Sequence, residues 1–177
     1  MLYINKGENM NTDHNIKIEI VSEEQQGVLK NIVSLYLHDL SQYADDLQIN
    51  KEGLFSYEGF ELYFKQPDLL PYFIKLKNNI IGFILVNMGK YVPKDVDLSV
   101  HEFFILKSYR RKGFGKRAIQ ELFKCHVGTY KIEQIASNLP AVKFWKNVYK
   151  QLHIEYKECQ ELLDDIPGVS QVFKIGS

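Results

Sequence analysis

The sequence predicts a mixed α/β fold: one central sheet of about seven strands, with helices on both of its faces. Three observations carry this. Strand-like runs occur as hairpin neighbours, at 71–88 and again toward the C terminus. Three longer segments carry apolar residues at helical spacing. In the second half the two kinds alternate, which requires crossover helices between strands of one sheet. The 177 residues, 45% hydrophobic, are enough for a sizeable core. No repeat, low-complexity segment or linker divides them. The expected organisation is a loose tail over 1–15 and one domain over 16–177.

Ile16, Ile18 and Ile20 alternate with charges and predict a first strand. Ser22, with Gln25 three residues on, reads as a capping box opening a helix. Val28, Leu29, Ile32, Val33, Leu35, Tyr36 and Leu40 form its apolar stripe. The polar and aromatic stretch from Tyr43 to Phe64 is expected to be helix or irregular cover. A strand from Pro71 to Lys77 meets its return, Ile80 to Met88, through a turn at Asn78-Asn79. Gly89 to Asp97 reads as a loop, and Ser99 to Leu106 as a central strand. A helix follows from Phe114 to Val127 with Gly128 as its stop. A strand from Tyr130 to Ala136 precedes a helix whose first turn holds Pro140. The chain closes with a strand near His153–Lys157, an acidic loop containing Pro167-Gly168, and a strand near Val169–Ile175.

Composition excludes several classes. There are 22 basic and 22 acidic side chains, so net charge is zero, which disfavours nucleic acid as a bulk electrostatic partner. The longest apolar run, Ile80 to Val86, is far short of the ~20 residues of a membrane helix. No basic region followed by an apolar stretch opens the chain, so no secretory leader is expected. Cys125 and Cys159 form no paired motif; such sparse usage points to a reduced, cytoplasmic compartment. No activating group accompanies Cys125, and the five histidines lack metal-ligand spacing, so no metal is expected.

Neutrality conceals a local asymmetry. Lys107 to Arg117 holds six basic residues and no acid, whereas Asp39 to Asp68 holds seven acids against Lys51 and Lys65. The basic run joins the end of a central strand to a glycine-containing helix start, Gly113-Phe114-Gly115. Glycine lets a ligand approach the backbone. The first amides of a helix have no partner within it, and the dipole adds partial positive charge. Together these features suit a phosphate or pyrophosphate. The generic phosphate loop fails, because Arg117 follows Gly115-Lys116 and Arg110 stands where its first glycine belongs. The dinucleotide fingerprint is matched by Gly113-Phe114-Gly115-Lys116-Arg117-Ala118, with Glu133 20 residues after Gly113. Two features oppose it: a seven-residue stretch, Lys107–Gly113, between the strand and the helix, and only 64 residues after Gly113.

Arg110-x-x-Gly113-x-Gly115, between strand and helix, resembles motif A of the GNAT superfamily of N-acetyltransferases. Asn138-x-x-Ala141-x-x-Phe144-Trp145 is similar to that family's segment after the next strand. The strand order agrees, so the resemblance runs from about Ile16 to Ile175. It implies a GNAT-like, mostly antiparallel sheet and an acetyl-CoA-dependent transfer of an acetyl group to a primary amine by direct attack on the thioester. It further implies that Phe104, Ile105 and Leu106 border the pantetheine arm. Arg110, Arg111, Lys112, Gly113, Phe114, Gly115 and Lys116 would form the pyrophosphate turn, and Asn138 and Phe144 would touch the cofactor from the next strand and helix.

Direct transfer needs a base for the ammonium group and favours an acid for the departing thiolate. Glu102 is the candidate base: it lies in the strand the family uses for a carboxylate, and period two places it with Phe104 and Leu106. His101 is the alternative. The family's usual acid, a tyrosine, is replaced by Trp145, whose indole N–H is no useful proton donor. Tyr149, one helical turn on, is the candidate acid; the competing reading makes it core. Loss of the acid keeps an alternative open, a noncatalytic acyl-CoA-binding module. The acceptor cleft is expected from Asp39–Phe64 and Gly89–Asp97, whose acids and aromatic rings would attract a cationic amine on a small molecule or protein. Homodimerisation is common in the superfamily, though no interface is legible.

Overall fold

A computed structural model describes residues 15–176. Except for Asn15, the expected tail lies outside these residues. The elements are β1 (Ile16–Ile20), α1 (Gln26–Leu40), a 3-10 turn (Phe60–Phe64), β2 (Leu69–Leu76), β3 (Asn79–Met88), β4 (Leu98–Ile105), α2 (Phe114–Cys125), β5 (Gly128–Ile135), α3 (Leu139–Leu152), β6 (Tyr156–Leu163) and β7 (Ile166–Ile175). The seven strands form one sheet in the order β1-β2-β3-β4-β5-β7-β6. Every neighbouring pair is antiparallel except β4 and β5.

Strand alternation divides the apolar residues between the two faces. Phe73, Phe83, Leu85 and Phe104 pack with Leu29, Val33 and Leu37 of α1 and with Phe60 and Tyr63. Tyr72, Ile74, Ile84 and Val86 point the other way, against Ala118, Ile119 and Leu122 of α2 and Val148 and Tyr149 of α3. Val28 and Leu35, expected in the α1 stripe, are exposed. The buried stripe is therefore narrower than the sequence pattern.

Three turns differ from expectation. The β2–β3 turn is Lys77-Asn78, because Asn79 already pairs with Leu76. Lys77 takes the left-handed backbone, with φ 57°. Gly128 does not stop α2, which ends at Cys125; it opens β5 at φ 140°, where a β-carbon would stand 2.8 Å from an Asp97 oxygen. That carboxylate instead accepts the Thr129 N–H at 2.7 Å, fastening the start of β4 to β5. In the C-terminal hairpin the turn is Asp164-Asp165, both with positive φ. This is the backbone that a two-residue hairpin turn demands and that Asp tolerates. Pro167 and Gly168 lie inside β7, paired with Leu162 and Glu161, and β6 is longer and later than the expected 153–157.

A bulge in the β3–β4 ladder decides which residues face the helices. Leu85 pairs with Glu102 and Val86 with Val100, so His101 is left over. The extra residue switches the faces. Val100 lies on the α2–α3 side, while Glu102 shares the α1 side with Phe104 and Leu106.

Candidate active site

β4 and β5 are paired only at Leu98–Tyr130 and Ser99–Lys131, near the start of β4. Beyond these pairs the strands diverge, and from Val100 to Ile105 the β5 side of β4 has no sheet partner. Such an edge offers unpaired N–H and C=O groups to an extended ligand. Phe103 lines the opening and stacks on Phe144 of α3, with centroids 5.1 Å apart and planes at 12°. Phe104 is buried toward α1, Ile105 toward α2, and the Leu106 N–H donates to the Ile81 carbonyl at 2.9 Å.

The chain then enters the basic turn. Arg111 and Gly113 both have positive φ, 60° and 81°. The first helical bond of α2 runs from the Arg117 N–H to the Gly113 carbonyl, so the Gly115 and Lys116 amides lie upstream of the helical ladder. At Gly113 a β-carbon would meet nothing within 4 Å, so the surroundings are open. At Gly115 it would stand 2.9 Å from Phe144, so only glycine lets the ring lie against this backbone. Open space, upstream helical amides and cations form a donor set that fits a pyrophosphate.

The cations divide into two groups. Arg110 is turned inward: its Nε donates to the Ile105 carbonyl at 2.6 Å, and its guanidinium bonds Asp39 of α1 at 2.6 Å. Lys107 reaches the same carboxylate at 2.9 Å. Burial raises the Asp39 pKa, but the hydrogen bonds from Lys107 and Arg110 outweigh it and hold the group below its ordinary value. Lys112 donates to the Ser108 carbonyl at 2.8 Å. Arg111 and Lys116 have no ion-pair partner among the described residues and border the turn. Arg110 thus orients the loop with its side chain, while Arg111 and Lys116 remain available to an anion.

Glu102 lies beside the divergence of β4 and β5. Its carboxylate accepts hydrogen bonds from Tyr36 of α1 and, at 3.2 Å, from Tyr57 of the covering segment. Burial pushes its pKa up; the nearby His101 and the two phenols act in the opposite direction without cancelling the effect. The two phenols are driven well above their ordinary range by burial and by the charge of Glu102. His101 is exposed, with its ring 6.5 Å from that of Tyr57. Tyr57 also lines a cavity of about 150 Å³ with Lys30, Val33, Phe55, Phe60 and Glu61. Sequence reasoning placed Tyr36 in the apolar stripe of the first helix and Tyr57 in the aromatic-rich acceptor region, and assigned neither to the carboxylate.

Two expected site residues are engaged elsewhere. Tyr149 is fully buried, against Tyr156 at 4.6 Å and Phe173 at 4.9 Å. Its hydroxyl donates to Gln171 on β7 at 3.3 Å, and burial raises its pKa well above that of a free phenol. The core reading therefore describes Tyr149, and it does not reach the site. Asn138 is the N-cap of α3: its side-chain oxygen accepts the Ala141 N–H at 3.2 Å. Trp145 is also core, between Phe103, Phe144 and Tyr149.

Comparison with known proteins agrees with this geometry. The Acetyltransferase (GNAT) family model matches residues 34–148. A search of curated protein sequences finds no match. Among solved structures, the chain is similar to the aminoglycoside acetyltransferase AAC(6')-Ib in complex with coenzyme A and kanamycin. The TM-score is 0.65 at 15% identity, covering 90% of this chain and 95% of that one. It is also similar to the ribosomal-protein-S18-alanine N-acetyltransferase from Escherichia coli, with TM-score 0.58, 15% identity, and coverage of 92% and 96%. An acetyltransferase from Thermus thermophilus gives TM-score 0.60 at 14% identity, covering 89% and 95%. No helix among the described residues is long and apolar enough to cross a membrane. The sheet that splits after Ser99, the glycine turn into α2 and the family match agree, and the chain belongs to the GNAT family, as an acetyl-CoA-dependent N-acetyltransferase.

Proposed function

We propose that Glu102 is the general base of this N-acetyltransferase and that the acceptor is a primary amine presented from the α1 side of the sheet. One observation carries the reading: a desolvated carboxylate stands beside the β4–β5 divergence, held by two phenols from separate elements. Acetyl-CoA supplies the activated acetyl group as a thioester. The chain's own residues do the rest. The turn amides at Gly115 and Lys116, with the Arg111 and Lys116 charges, hold the pyrophosphate. The free edge of β4 orients the pantetheine arm alongside Ile105, and Phe144 flanks it. An N–H on that edge faces the thioester oxygen, where negative charge develops.

An alkylamine is protonated at neutral pH and must lose a proton before it attacks. Glu102 accepts that proton, directly or through water. Its raised pKa makes it a stronger base than a solvated carboxylate. Tyr36 and Tyr57 fix the carboxyl plane, so the carboxylate does not need to reorganise during proton transfer. Tyr149 takes no part, and the thiolate departs without a side-chain acid. The cavity beside Tyr57, with Lys30 and Glu61 on its walls, takes the remainder of the acceptor. The resemblance to an aminoglycoside acetyltransferase and to a ribosomal-protein-alanine N-acetyltransferase brings both small-molecule and protein amines into the test.

The experiment is thiol release from acetyl-CoA by purified protein against polyamines, aminoglycosides and peptides with free α-amines. The expected result is amine-dependent release with at least one class, accompanied by a mass gain of one acetyl group on that amine. Tight acetyl-CoA binding with no release for any class would overturn the assignment of Glu102.

A further inference from the structure

We infer that the acceptor is a free basic amino acid, ornithine or lysine, whose ω-amine meets Glu102 while its α-amino and α-carboxylate groups sit between Lys30 and Glu61. The inference rests on Glu102 as the general base and adds the class of the amine. The cavity beside Tyr57 carries it. Lys30 of α1 and Glu61 of the 3-10 turn stand on its walls with opposite charges, and Val33, Phe55 and Phe60 make much of the remaining lining apolar. The two charges do not pair with each other. Among the described residues Lys30 has no ion-pair partner, and Glu61 accepts a hydrogen bond from the neutral amide of Gln26. A cation and an anion, each unmatched, around one small apolar space fit a zwitterion.

Size narrows the choice. A cavity of about 150 Å³ takes a molecule the size of benzene, about six non-hydrogen atoms. An α-amino-acid head with its first methylene has that many. A substituted amino-sugar ring or a peptide backbone has far more. Charge narrows it further. A polyamine brings its second ammonium group to Glu61 but also to Lys30. An ω-amino acid that lacks the α-amine brings its carboxylate to Lys30 but also to Glu61. The head that carries both charges matches both walls.

Tyr57 connects the cavity to the base: it lines the one, and its hydroxyl donates to the other at 3.2 Å. On α1, Lys30 and Val33 line the cavity, and Tyr36, which also donates to Glu102, follows Val33 by about one turn. Lys30 and Tyr36 are thus about 9 Å apart along the helix axis, a span suited to three or four methylenes between the reacting nitrogen and the head. In the reaction the ω-ammonium gives one proton to Glu102, and the freed lone pair forms the N–C bond to the acetyl carbon. The C–S bond breaks, coenzyme A leaves as the thiolate, and the second proton on that nitrogen goes to water. The product keeps its zwitterionic head and loses its side-chain charge.

The test compares free amines as acceptors at saturating acetyl-CoA: L-lysine, L-ornithine, 1,5-diaminopentane (lysine without its carboxylate) and 6-aminohexanoate (lysine without its α-amine). Lysine or ornithine is expected to give a kcat/KM at least ~10-fold above both truncated amines, with mass spectrometry placing the acetyl group on the ω-nitrogen. Lys30→Glu is expected to lower kcat/KM for that amino acid ~10-fold or more and to raise 1,5-diaminopentane above it. Glu61→Gln is expected to narrow the gap between lysine and 6-aminohexanoate. Melting temperature checks that both variants are folded. Truncated amines that match the intact amino acids, acetylation of the α-nitrogen, or a preference that Lys30→Glu leaves in place overturns the proposal. So does the absence of transfer to lysine and ornithine. If another amine is then acetylated at a rate that Glu102→Gln abolishes, the general base stands and the amino-acid acceptor alone falls.

Discussion

Tyr36 and Glu102, 66 residues apart in sequence, share a hydrogen bond that joins α1 to β4 at the point where the sheet divides. The phenol stabilises the charged carboxylate, while burial acts against that charge. This opposition sets the pH behaviour. A base must be deprotonated, so kcat/KM rises with pH through a value above the ~4.3 of a solvated glutamate. Tyr36→Phe or Tyr57→Phe removes a donor to the charged form and moves that acid limb to higher pH. The stability contribution of Glu102 has the opposite sign. The native state binds more protons than the unfolded state between the ordinary and the raised pKa, so this contribution falls as pH rises across that window. Profiles of kcat/KM for wild type and Tyr36→Phe check the direction.

Asp39 shows the reverse linkage. Its carboxylate, largely shielded, is held below its ordinary pKa by Lys107 and Arg110. Its stabilisation is therefore present above the ordinary carboxylate value and lost as pH falls through the depressed one. Lys107 is well exposed, so the pair is worth under about 1 kcal/mol. Asp39→Asn is expected to lower the melting temperature slightly at neutral pH and not in strong acid. It is also expected to raise KM for acetyl-CoA several-fold, because Arg110 then no longer ties the turn to α1.

Gly115 and Gly113 are intolerant for different reasons. At Gly115 an added methyl would lie 2.9 Å from Phe144 and force it off Phe103. At Gly113 there is space, and the cost is the left-handed backbone alone. Gly115→Ala is expected to cost ~1–3 kcal/mol and to weaken acetyl-CoA binding strongly. Gly113→Ala is expected to cost ~1–2 kcal/mol with a smaller binding defect. Urea melts and isothermal titration with acetyl-CoA distinguish them.

Tyr149→Phe separates structural from catalytic loss. It leaves the buried Gln171 oxygen with one donor fewer. A stability loss of ~1–3 kcal/mol is expected, with kcat close to that of wild type. A drop in kcat of ~100-fold or more would restore the acid role.

The periodic parts of the fold were legible in the sequence. The seven strands, the crossover helices and the glycine turn follow from apolar spacing and from Arg110, Gly113 and Gly115. Glu102 was legible as a candidate because alternation from Phe104 and Leu106 fixes its face. The bulge at His101 was not, since an extra residue in a ladder leaves no mark in one strand alone. The turns at Lys77-Asn78 and Asp164-Asp165 depend on register, which pairing decides and composition does not. The clamps on Glu102 and Arg110 come from Tyr36, Tyr57 and Asp39, distant in sequence and brought near by packing. Tyr149 was misplaced because helical spacing gives a face and not a depth, and β7 covers that face.

The most direct measurement is the rate of acetyl transfer by Glu102→Gln beside wild type, on whichever amine the screen identifies, with acetyl-CoA affinity measured in parallel. A loss in kcat/KM of about 100-fold or more is expected, with acetyl-CoA binding unchanged. A Glu102→Gln enzyme that binds acetyl-CoA normally and transfers at the wild-type rate would contradict it.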